Sequence, residues 1–170
     1  MSNVSTMYGM FVGTEIESLD ISDWDVSNVT TMYAMFENCY KLKNLNVKWT
    51  DTSSLTDVGR MFYFCYQLEE LDISTWDLSH VTSGNMGFLY GNPSLKHLNC
   101  PINAATGPRV SFSISNLNML TAESLNSLIG WLGDLTGETT ETLTIGSTNL
   151  AKLSAGDIAV GTAKNWSIVA

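Results

Sequence analysis

Apolar residues recur with a period close to 26 along the first hundred residues. Phenylalanine stands at positions 11, 36, 62 and 88, at intervals of 25, 26 and 26 residues. Leucine stands at positions 19, 45, 71 and 98, at intervals of 26, 26 and 27. The opening MSNVSTMYGMF shares eight of eleven letters with VSNVTTMYAMF at 26–36. These spacings indicate an array of about four repeats over residues 1–101, each burying its apolar face against the next.

Each repeat has two halves with different spacing. In the first half, Val29, Met32, Met35 and Phe36 fall on one face of a helix, and the same pattern returns at 55–62. This spacing predicts a short helix. In the second half, the alternation of Leu and Val in L-x-x-L-x-V predicts a short strand.

The segments between a strand and the next predicted helix are rich in Ser, Asp and Asn, which is typical of turns. Ser27 and Ser79, or their neighbours, are candidate N-caps of those helices. Two one-residue slips interrupt the period, a deletion after Phe11 and an insertion that we assign to GNPS at 91–94.

The fold class that follows is α/β, a leucine-rich-repeat-like solenoid with a parallel sheet, short helices and an α/β C-terminal cap. The spacing lies within the range of roughly 20 to 29 residues that leucine-rich repeats span. Asn or Cys commonly closes the strand in such repeats. Here Trp24, Thr50 and Trp76 occupy that place.

The pattern V-x-x-M-x-x-M-F followed by C-Y-x-L-x-x-L-D-I-S-x-W-D resembles the 26-residue repeat of BspA-like bacterial surface proteins. Listeria- and Mycoplasma-type surface lipoproteins, gut bacteria and their phages carry similar repeats. The resemblance covers about residues 1–101. It implies a leucine-rich-repeat-like surface protein used in adhesion or partner binding, and it implies no chemistry.

Residues 102–170 have a different pattern. PINAATGPR marks a boundary, VSFSI (110–114) and TLTIG (142–146) alternate as strands do, and WSIVA closes the chain as a last strand. We interpret 102–170 as C-terminal capping units that continue the same solenoid and sheet, and the ending resembles the tail unit of such arrays. An independent small α/β domain is the alternative.

Two helices are predicted in this second section. Thr121 is the candidate N-cap of the first, with Glu123 in its first turn. Ser154 and Asp157 form a capping-box-like start of the second. The sides that we expect to be buried are Leu125, Leu128, Ile129 and Leu132 in the first helix, and Ile158, Ala159 and Ala163 in the second.

The charge is acidic, with 8 basic and 17 acidic residues and a formal net charge of −9. Nucleic-acid binding requires a basic stripe, so we expect no nucleic-acid partner. No apolar run reaches the roughly 18 to 20 residues of a membrane-spanning helix, so we expect no membrane insertion. The first residues lack a Lys/Arg cluster followed by an apolar run, so we expect no signal peptide within this chain. With the resemblance, the expected location is extracellular, on a bacterial cell surface or a phage virion.

The cysteines favour a structural interpretation. Cys39 and Cys65 stand at equivalent repeat positions, and Cys100 replaces the apolar residue of a strand. All three are expected to be small buried residues, with a disulfide between Cys39 and Cys65 as the alternative. His80 and His97 are not at metal-ligand spacing, and we expect no metal and no cofactor.

Carboxylates form two rows. Asp20 and Asp72, two strands apart, are expected about 9 to 10 Å from each other, near the upper end of the separation in inverting glycosidases. Nothing marks either as an acid with a raised pKa, so we expect no enzyme. Asp25, Asp51 and Asp77 are expected to accept backbone N–H groups in turns or to cap the next helix, and a calcium ladder is the alternative.

Tryptophan recurs at positions 24 and 76, with an offset copy at position 49. We expect these rings to pack at the turns. A row for carbohydrate stacking is the alternative.

The outward-facing residues of the strands form the candidate binding surface, because solenoids bind through that face. With Ser18, they are Asp20, Ser22, Asn44, Asn46, Lys48, Glu70, Asp72, Ser74, His97 and Asn99. Their polar, mixed character fits a protein or glycan on a host or neighbouring cell surface. The predicted function is a non-enzymatic extracellular binding module. A structural component of a phage particle or surface appendage is the alternative.

The first repeat lacks its own strand half. We therefore expect this chain to be the C-terminal end of a longer repeat protein, or another segment or subunit to cover Val4, Met7 and Phe11. A second copy of this chain, bound at that end, is one candidate for the covering subunit.

Overall fold

The computed structural model describes residues 3–82 and 87–170. Parts of the first and fourth repeats, residues 1–2 and 83–86, lie outside the described residues. The strands are β1 (Ser18–Asp20), β2 (Asn44–Asn46), β3 (Glu70–Asp72), β4 (His97–Asn99), β5 (Phe112–Ser113), β6 (Glu141–Thr144) and β7 (Trp166–Val169). The helices are α1 (Ala122–Trp131), α2 (Ser147–Leu150) and α3 (Ala155–Thr162), with 3₁₀ turns at Gly87–Leu89 and Ala104–Thr106. The fold is mixed α/β, with short parallel sheets and few helices.

The strands pair in parallel, as the sequence predicts. β1 pairs with β2, with Leu19 opposite Leu45, and β3 pairs with β4, with Leu71 opposite Leu98. β5, β6 and β7 form a third parallel sheet in that order. β2 lies beside β3 but is not joined to it by a hydrogen-bonded ladder.

The short helices predicted for the first three repeats are absent from the described residues, and this prediction is wrong there. In the fourth repeat, Gly87–Leu89 forms a single 3₁₀ turn, and the rest of the predicted helix includes residues 83–86, outside the described residues. In the second repeat, residues 29–42 form successive turns, in which the N–H of Met35 donates to Met32 O at 3.1 Å. Ala34 and Asn38 have φ of 57° and 62°, a left-handed conformation that no α-helix contains. The N–H of Ala34 donates to Gly59 O, in the next repeat, at 2.9 Å.

Neighbouring repeats are therefore joined along this turn side. Thr6 forms a parallel bridge with Thr31, which forms another with Asp57. Since no helix follows Ser27, its predicted role as an N-cap is also wrong, as is that of Ser79. The backbone groups that a helix satisfies internally are satisfied here by the adjacent repeat.

The apolar residues are nevertheless buried as the spacing indicates. Met32, Met35 and Phe36 have no exposed surface, and Phe36 stacks between Phe11 and Phe62 at centroid distances of 5.3 and 5.5 Å. One continuous core extends from Met7 to Trp166. Met7 is buried, whereas Val4 and Phe11 are half-buried. A covering segment at this end stays a prediction.

The insertion in the fourth repeat lies earlier than the sequence indicates. The thiol of Cys65 donates to Phe36 O at 3.2 Å, and the Nδ2 of Asn92 donates to Phe62 O at 2.8 Å. Asn92 is thus equivalent to Cys65, 27 residues later. Thr82 N–H donates to Thr56 O, one period of 26 residues. The extra residue therefore lies between positions 82 and 92, ahead of most of GNPS.

Backbone hydrogen bonds between repeats locate the inserted residue more precisely. Phe36 N–H donates to Met61 O, and Phe62 N–H donates to Phe88 O at 2.7 Å. Phe88 therefore takes the place of Met61, and Leu89 takes the place of Phe62. The insertion therefore falls between Thr82 and Phe88, an interval that includes residues 83–86 outside the described residues.

The second section forms most of its predicted elements. Thr121 Oγ1 accepts from Ser124 N–H at 3.1 Å, and the Ser154–Asp157 capping box is complete. The four apolar residues predicted for the first helix are buried: Leu125, Leu128, Ile129 and Leu132.

The buried side predicted for α3 is wrong, because Ile158 is only half-buried and Ala159 and Ala163 are exposed. Gly161 faces the interior instead, where a Cβ atom would lie 3.0 Å from Ile168. The helix approaches β7 through this glycine, so the adjacent alanines point outward.

Among the described residues, β4 forms no hydrogen-bonded ladder with β5. Instead, Leu98 N–H donates to Ser124 Oγ at 2.9 Å and Cys100 N–H donates to Ser127 Oγ at 3.1 Å. Helix α1 therefore covers the far edge of β4. Continuation of the solenoid by residues 102–170 stays a prediction, as does a division near residue 101.

Candidate functional site

The predicted binding residues lie on the outer side of β1–β4 and the turns that follow them. We call this surface the strand face. Its backbone register places Asp20 opposite Asn46, Glu70 opposite His97, and Asp72 opposite Asn99. Leu71 and Leu98 point the other way, into the core, because successive side chains of a strand face opposite sides. Leu19 and Leu45, in β1 and β2, are only half-buried.

A groove with a volume of ≈ 720 Å³ crosses the strand face. We call it the central groove. It is lined by Ser18, Leu19, Asp20, Lys43, Asn44, Leu45, Asn46, Gln67, Glu69, Glu70, Asp72 and Ser94. Six of the predicted residues thus share one concavity, namely Ser18, Asp20, Asn44, Asn46, Glu70 and Asp72.

A second groove of ≈ 410 Å³ lies between β3, β4 and α1. Its lining includes Glu70, Asp72, His97 and Asn99, together with residues of α1. The remaining predicted residues, Ser22, Lys48 and Ser74, line neither groove. They hold the carboxylates that do.

The central groove coincides with a break in backbone pairing, which we call the seam. Ile21 N–H donates to Asn46 O at 3.1 Å, and Ile73 N–H donates to Asn99 O at 2.9 Å. Val47 occupies the equivalent place in the second repeat, and within the described residues no backbone hydrogen bond joins β2 to β3.

The seam is confined to the strand side of the second and third repeats. On the turn side the same repeats remain joined, since Met32 N–H donates to Asp57 O at 2.9 Å. Across the seam itself, Lys48 Nζ lies 2.6 Å from Asp72 Oδ2. A side-chain ion pair thus spans the gap where a ladder joins the other strands.

Hydrogen bonds fix the Asp20 carboxylate. Its Oδ1 accepts from Ser22 N–H and Ser22 Oγ at 3.0 and 2.7 Å, and its Oδ2 accepts from Asn46 Nδ2 at 3.1 Å. These donors, above all the Ser22 hydroxyl, hold the pKa of Asp20 below its usual value. Asp20 therefore presents a fixed anionic acceptor at one side of the groove.

Asp72 lies at the other side of the groove. Partial burial raises the pKa of its carboxyl, but hydrogen bonds from Lys48, Ser74 and Asn99 outweigh that effect and lower the pKa to about 2. The neighbouring Ser74 N–H donates to Asp72 Oδ1 at 3.0 Å. Neither Asp72 nor Asp20 has the raised pKa that a catalytic general acid requires.

Glu70 differs from the other acids around the central groove. Glu69 pairs with Lys96 at 2.8 Å, and nearby Glu17 pairs with Lys43 at 3.1 Å. The Glu70 side chain is exposed and has no hydrogen bond or ion pair to any residue that the structure describes.

The second row of carboxylates has the predicted structural role. Asp25, Asp51 and Asp77 each accept from the N–H and hydroxyl of the serine two residues later, at 2.6 to 3.1 Å. In residues 3–82 and 87–170, no group of three or more His, Cys, Asp or Glu is placed to hold a metal ion.

The cysteines are also structural, as predicted. Cys39, Cys65 and Cys100 are buried and free. Desolvation raises the pKa of each thiol, so the reactive thiolate is disfavoured. Cys39 donates to Phe11 O at 3.1 Å.

The tryptophans pack in the interior, which confirms the structural interpretation for two of them. Trp49 and Trp76 are fully buried and stack at 5.3 Å, and their Nε1 groups donate to Ile21 O and Val47 O at 2.8 Å. Trp24 is half-buried against Phe11. Buried rings cannot form a row for carbohydrate stacking.

Sequence reasoning missed the groove residues that precede the strands, Lys43, Gln67, Glu69 and Ser94. It also missed those of α1, of which Glu123 is one. The alternation of Glu17, Lys43, Glu69 and Lys96 at one repeat position is a signal for the first group, because opposite charges pair on adjacent strands. No sequence signal places α1 beside β4.

A family model described as "Mycoplasma protein of unknown function, DUF285" matches residues 1–99, more than half of the chain. No curated protein and no solved structure matches the chain. Among the helices that the structure describes, none combines the length and the apolar character needed to cross a membrane.

Proposed function

Since the chain belongs to the DUF285 family, whose function is unknown, we propose that it is a non-enzymatic binding module of a BspA-like surface protein. Residues 1–101 form a leucine-rich-repeat-like solenoid in this proposal. The strand face binds a protein or glycan on a host or neighbouring cell surface, and the module acts outside the cell, in adhesion or host recognition.

The observation that carries the proposal is the central groove. Six outward-facing residues predicted from alternation alone line one concavity of ≈ 720 Å³, a volume within the roughly 300 to 1,000 Å³ of small-ligand sites. Fixed donors lower the pKa of two of its acids, Asp20 and Asp72, which suits recognition rather than proton transfer. The other conspicuous side chains, the cysteines and two tryptophans, are buried.

A structural component of a phage particle or surface appendage is the second candidate. The isolated β-bridges that join successive repeats on the turn side favour this candidate. Such backbone bonds between repeats suit a stiff spacer whose strand face binds nothing. Mass spectrometry of purified virions, finding this chain among particle proteins while its strand face binds nothing, supports this candidate.

A binding screen tests the first candidate. The intact chain, immobilised, is exposed to a glycan array and to a panel of host-surface proteins. Asn46→Ala and Asp72→Ala are expected to abolish or strongly weaken any binding found. Asp23→Ala, a change at an exposed acid outside the groove lining, is the matched control.

Thermal unfolding of each variant shows whether it is folded, so that a loss of binding can be assigned to the substituted side chain. A screen without binding contradicts the proposal. Binding that all three variants retain, or that Asp23→Ala reduces as much as the others, contradicts it equally, because the strand face is then not the site.

A further inference from the structure

The central groove has an uneven charge distribution. Four carboxylates and one lysine line it. Asp72 is compensated by Lys48, and Glu69 by Lys96, across the strands. Asp20 is compensated by neutral donors, chiefly Ser22 and Asn46. The remaining carboxylate, that of Glu70, has no compensating group.

Glu70 is also central in position. It lines both grooves and is the first residue of β3, directly beside the seam. The same column holds Ser18 in β1 and Asn44 in β2, which carry no charge, and His97 in β4, which lies opposite Glu70 on the side away from the seam. A cation that enters the central groove therefore meets one uncompensated carboxylate, and no lysine of β1 or β2 occupies the same column.

The electrostatic field of the whole molecule also favours a cationic ligand. The chain carries a formal net charge of −9, so the long-range potential attracts cationic partners and repels acidic ones. This preference applies to the approach of the partner, while Glu70 supplies the local contact.

The remaining lining favours a peptide over a sugar. Asn44 and Gln67 offer amide donors and acceptors that match those of a peptide backbone. None of the lining residues is aromatic, so the groove contains no ring on which a pyranose can stack.

We infer that the central groove binds an extended protein segment that carries lysine or arginine, and that the cation of this segment pairs with Glu70. This inference rests on the proposed function and names the ligand class of the same site. Arginine suits the contact best, because its planar guanidinium donates two hydrogen bonds to one carboxylate.

The test uses the full chain, labelled with ¹⁵N, and an acetylated, amidated peptide Gly-Gly-Arg-Gly-Gly as probe. The expected result is a set of chemical-shift changes that centres on Asn46, Glu70 and Asp72. Glu70→Gln is expected to weaken this binding about threefold to tenfold, the range for loss of one partly exposed charge-assisted contact.

Two matched controls accompany the probe. Asp23→Asn removes the same charge at an exposed position outside the groove lining and is expected to leave the affinity within about twofold, because distant surface charges are screened. The peptide with Gln in place of Arg is expected not to bind.

Absence of arginine-peptide binding overturns the inference. Equal binding by the parent and Glu70→Gln overturns it as well, as do shift changes spread over all exposed carboxylates. A partner identified in the glycan and protein screen distinguishes failure of this inference from failure of the proposed function. If Asn46→Ala abolishes its binding and Glu70→Gln does not, the strand face is the site but the cationic ligand is wrong.

Discussion

The repeats and the C-terminal section are stabilised in different ways. In the repeats, the characteristic hydrogen bonds join residues about one period apart, such as Ala34 N–H to Gly59 O and Trp49 Nε1 to Ile21 O. The second section also contains such long-range bonds, as from Trp166 Nε1 to Gly133 O, but there side chains additionally cap helices locally, as Thr121 does for α1.

Two kinds of interaction thus stabilise the molecule, contacts between neighbouring units and local caps of helices. A repeat whose backbone and rings are satisfied by its neighbour has little structure of its own. A capped helix such as α1 receives part of its stability from residues within one turn. Substitutions in the repeats should therefore break contacts between units, whereas substitutions at the caps should remove small local contributions.

The largest effect is expected from Trp76→Ala. Trp76 is fully buried, stacks on Trp49 and donates to Val47 O, so its removal empties a contact between two repeats. We expect a loss of about 3–5 kcal/mol in the free energy of unfolding, measured in urea. Trp24→Ala, at a half-buried ring, should cost clearly less. Equal losses at the two positions contradict this interpretation.

Asn92→Ala is expected to have the next largest effect. The buried Asn92 amide donates to Phe62 O and Leu89 O at 2.8 and 2.7 Å, and its removal leaves buried carbonyls without donors. The expected loss is about 1–3 kcal/mol in the free energy of unfolding.

Asn92→Cys is the matched variant for this position. It supplies the thiol that the equivalent Cys65 uses and removes the Asn92 Oδ1 atom, which is buried without a hydrogen-bond partner among the described residues. Urea unfolding should show a smaller loss than that of Asn92→Ala. A loss as large or larger means that the two positions are not equivalent.

Smaller losses of stability are expected from substituting two serines, and the loss should be greater for the helix cap Ser154 than for the turn residue Ser27. Ser154→Ala removes half of the capping box of α3 and is expected to cost about 1 kcal/mol. Ser27→Ala leaves the Ser27 N–H on Asp25 and should stay within about 0.5 kcal/mol of the parent. Thermal or urea unfolding measures both, and a larger loss at Ser27 contradicts the comparison.

The smallest effect is expected in acid stability, because the Asp72 side chain is 31% exposed and solvent screening reduces the contribution that its pKa shift alone implies. The folded-state pKa of Asp72 is about 2, below the ordinary value of 3.8. Its contribution is therefore fully present above the ordinary value and is lost as the pH falls toward the folded-state value. In urea unfolding at pH 5 and near pH 2, Asp72→Asn should lose less stability on acidification than the parent. An identical loss means that Asp72 is not preferentially ionised in the folded state.

The sequence predicted the buried residues of the repeats better than their backbone. Met32, Met35 and Phe36 are buried, but spacings of three fit successive turns as well as a helix. A signal against the helix was present in YGMFVG, because Gly9 and Gly13 both have positive φ. Caps such as Thr121 were predictable because they depend on a few adjacent residues.

The strand face was predictable from alternation, whereas the seam was not. Asp20, Asn46 and Asp72 follow from period-two spacing. Whether two adjacent strands approach closely enough to form a ladder depends on the packing of whole repeats. The only local sign is that Lys48–Thr50 departs from the Ser-x-Trp of the first and third repeats.

The seam is the feature on which the central groove and both proposals depend, and amide hydrogen exchange measured by NMR tests it directly. The Ile21 and Ile73 amides donate to the adjacent strand, and the equivalent Val47 amide has no such bond to β3. We predict that the Val47 amide exchanges at least about tenfold faster than the other two, since loss of a hydrogen bond worth about 1.4 kcal/mol changes an opening equilibrium by that factor. Equal protection of all three amides would contradict the account, because β2 and β3 would then form a continuous sheet with no seam beneath the groove.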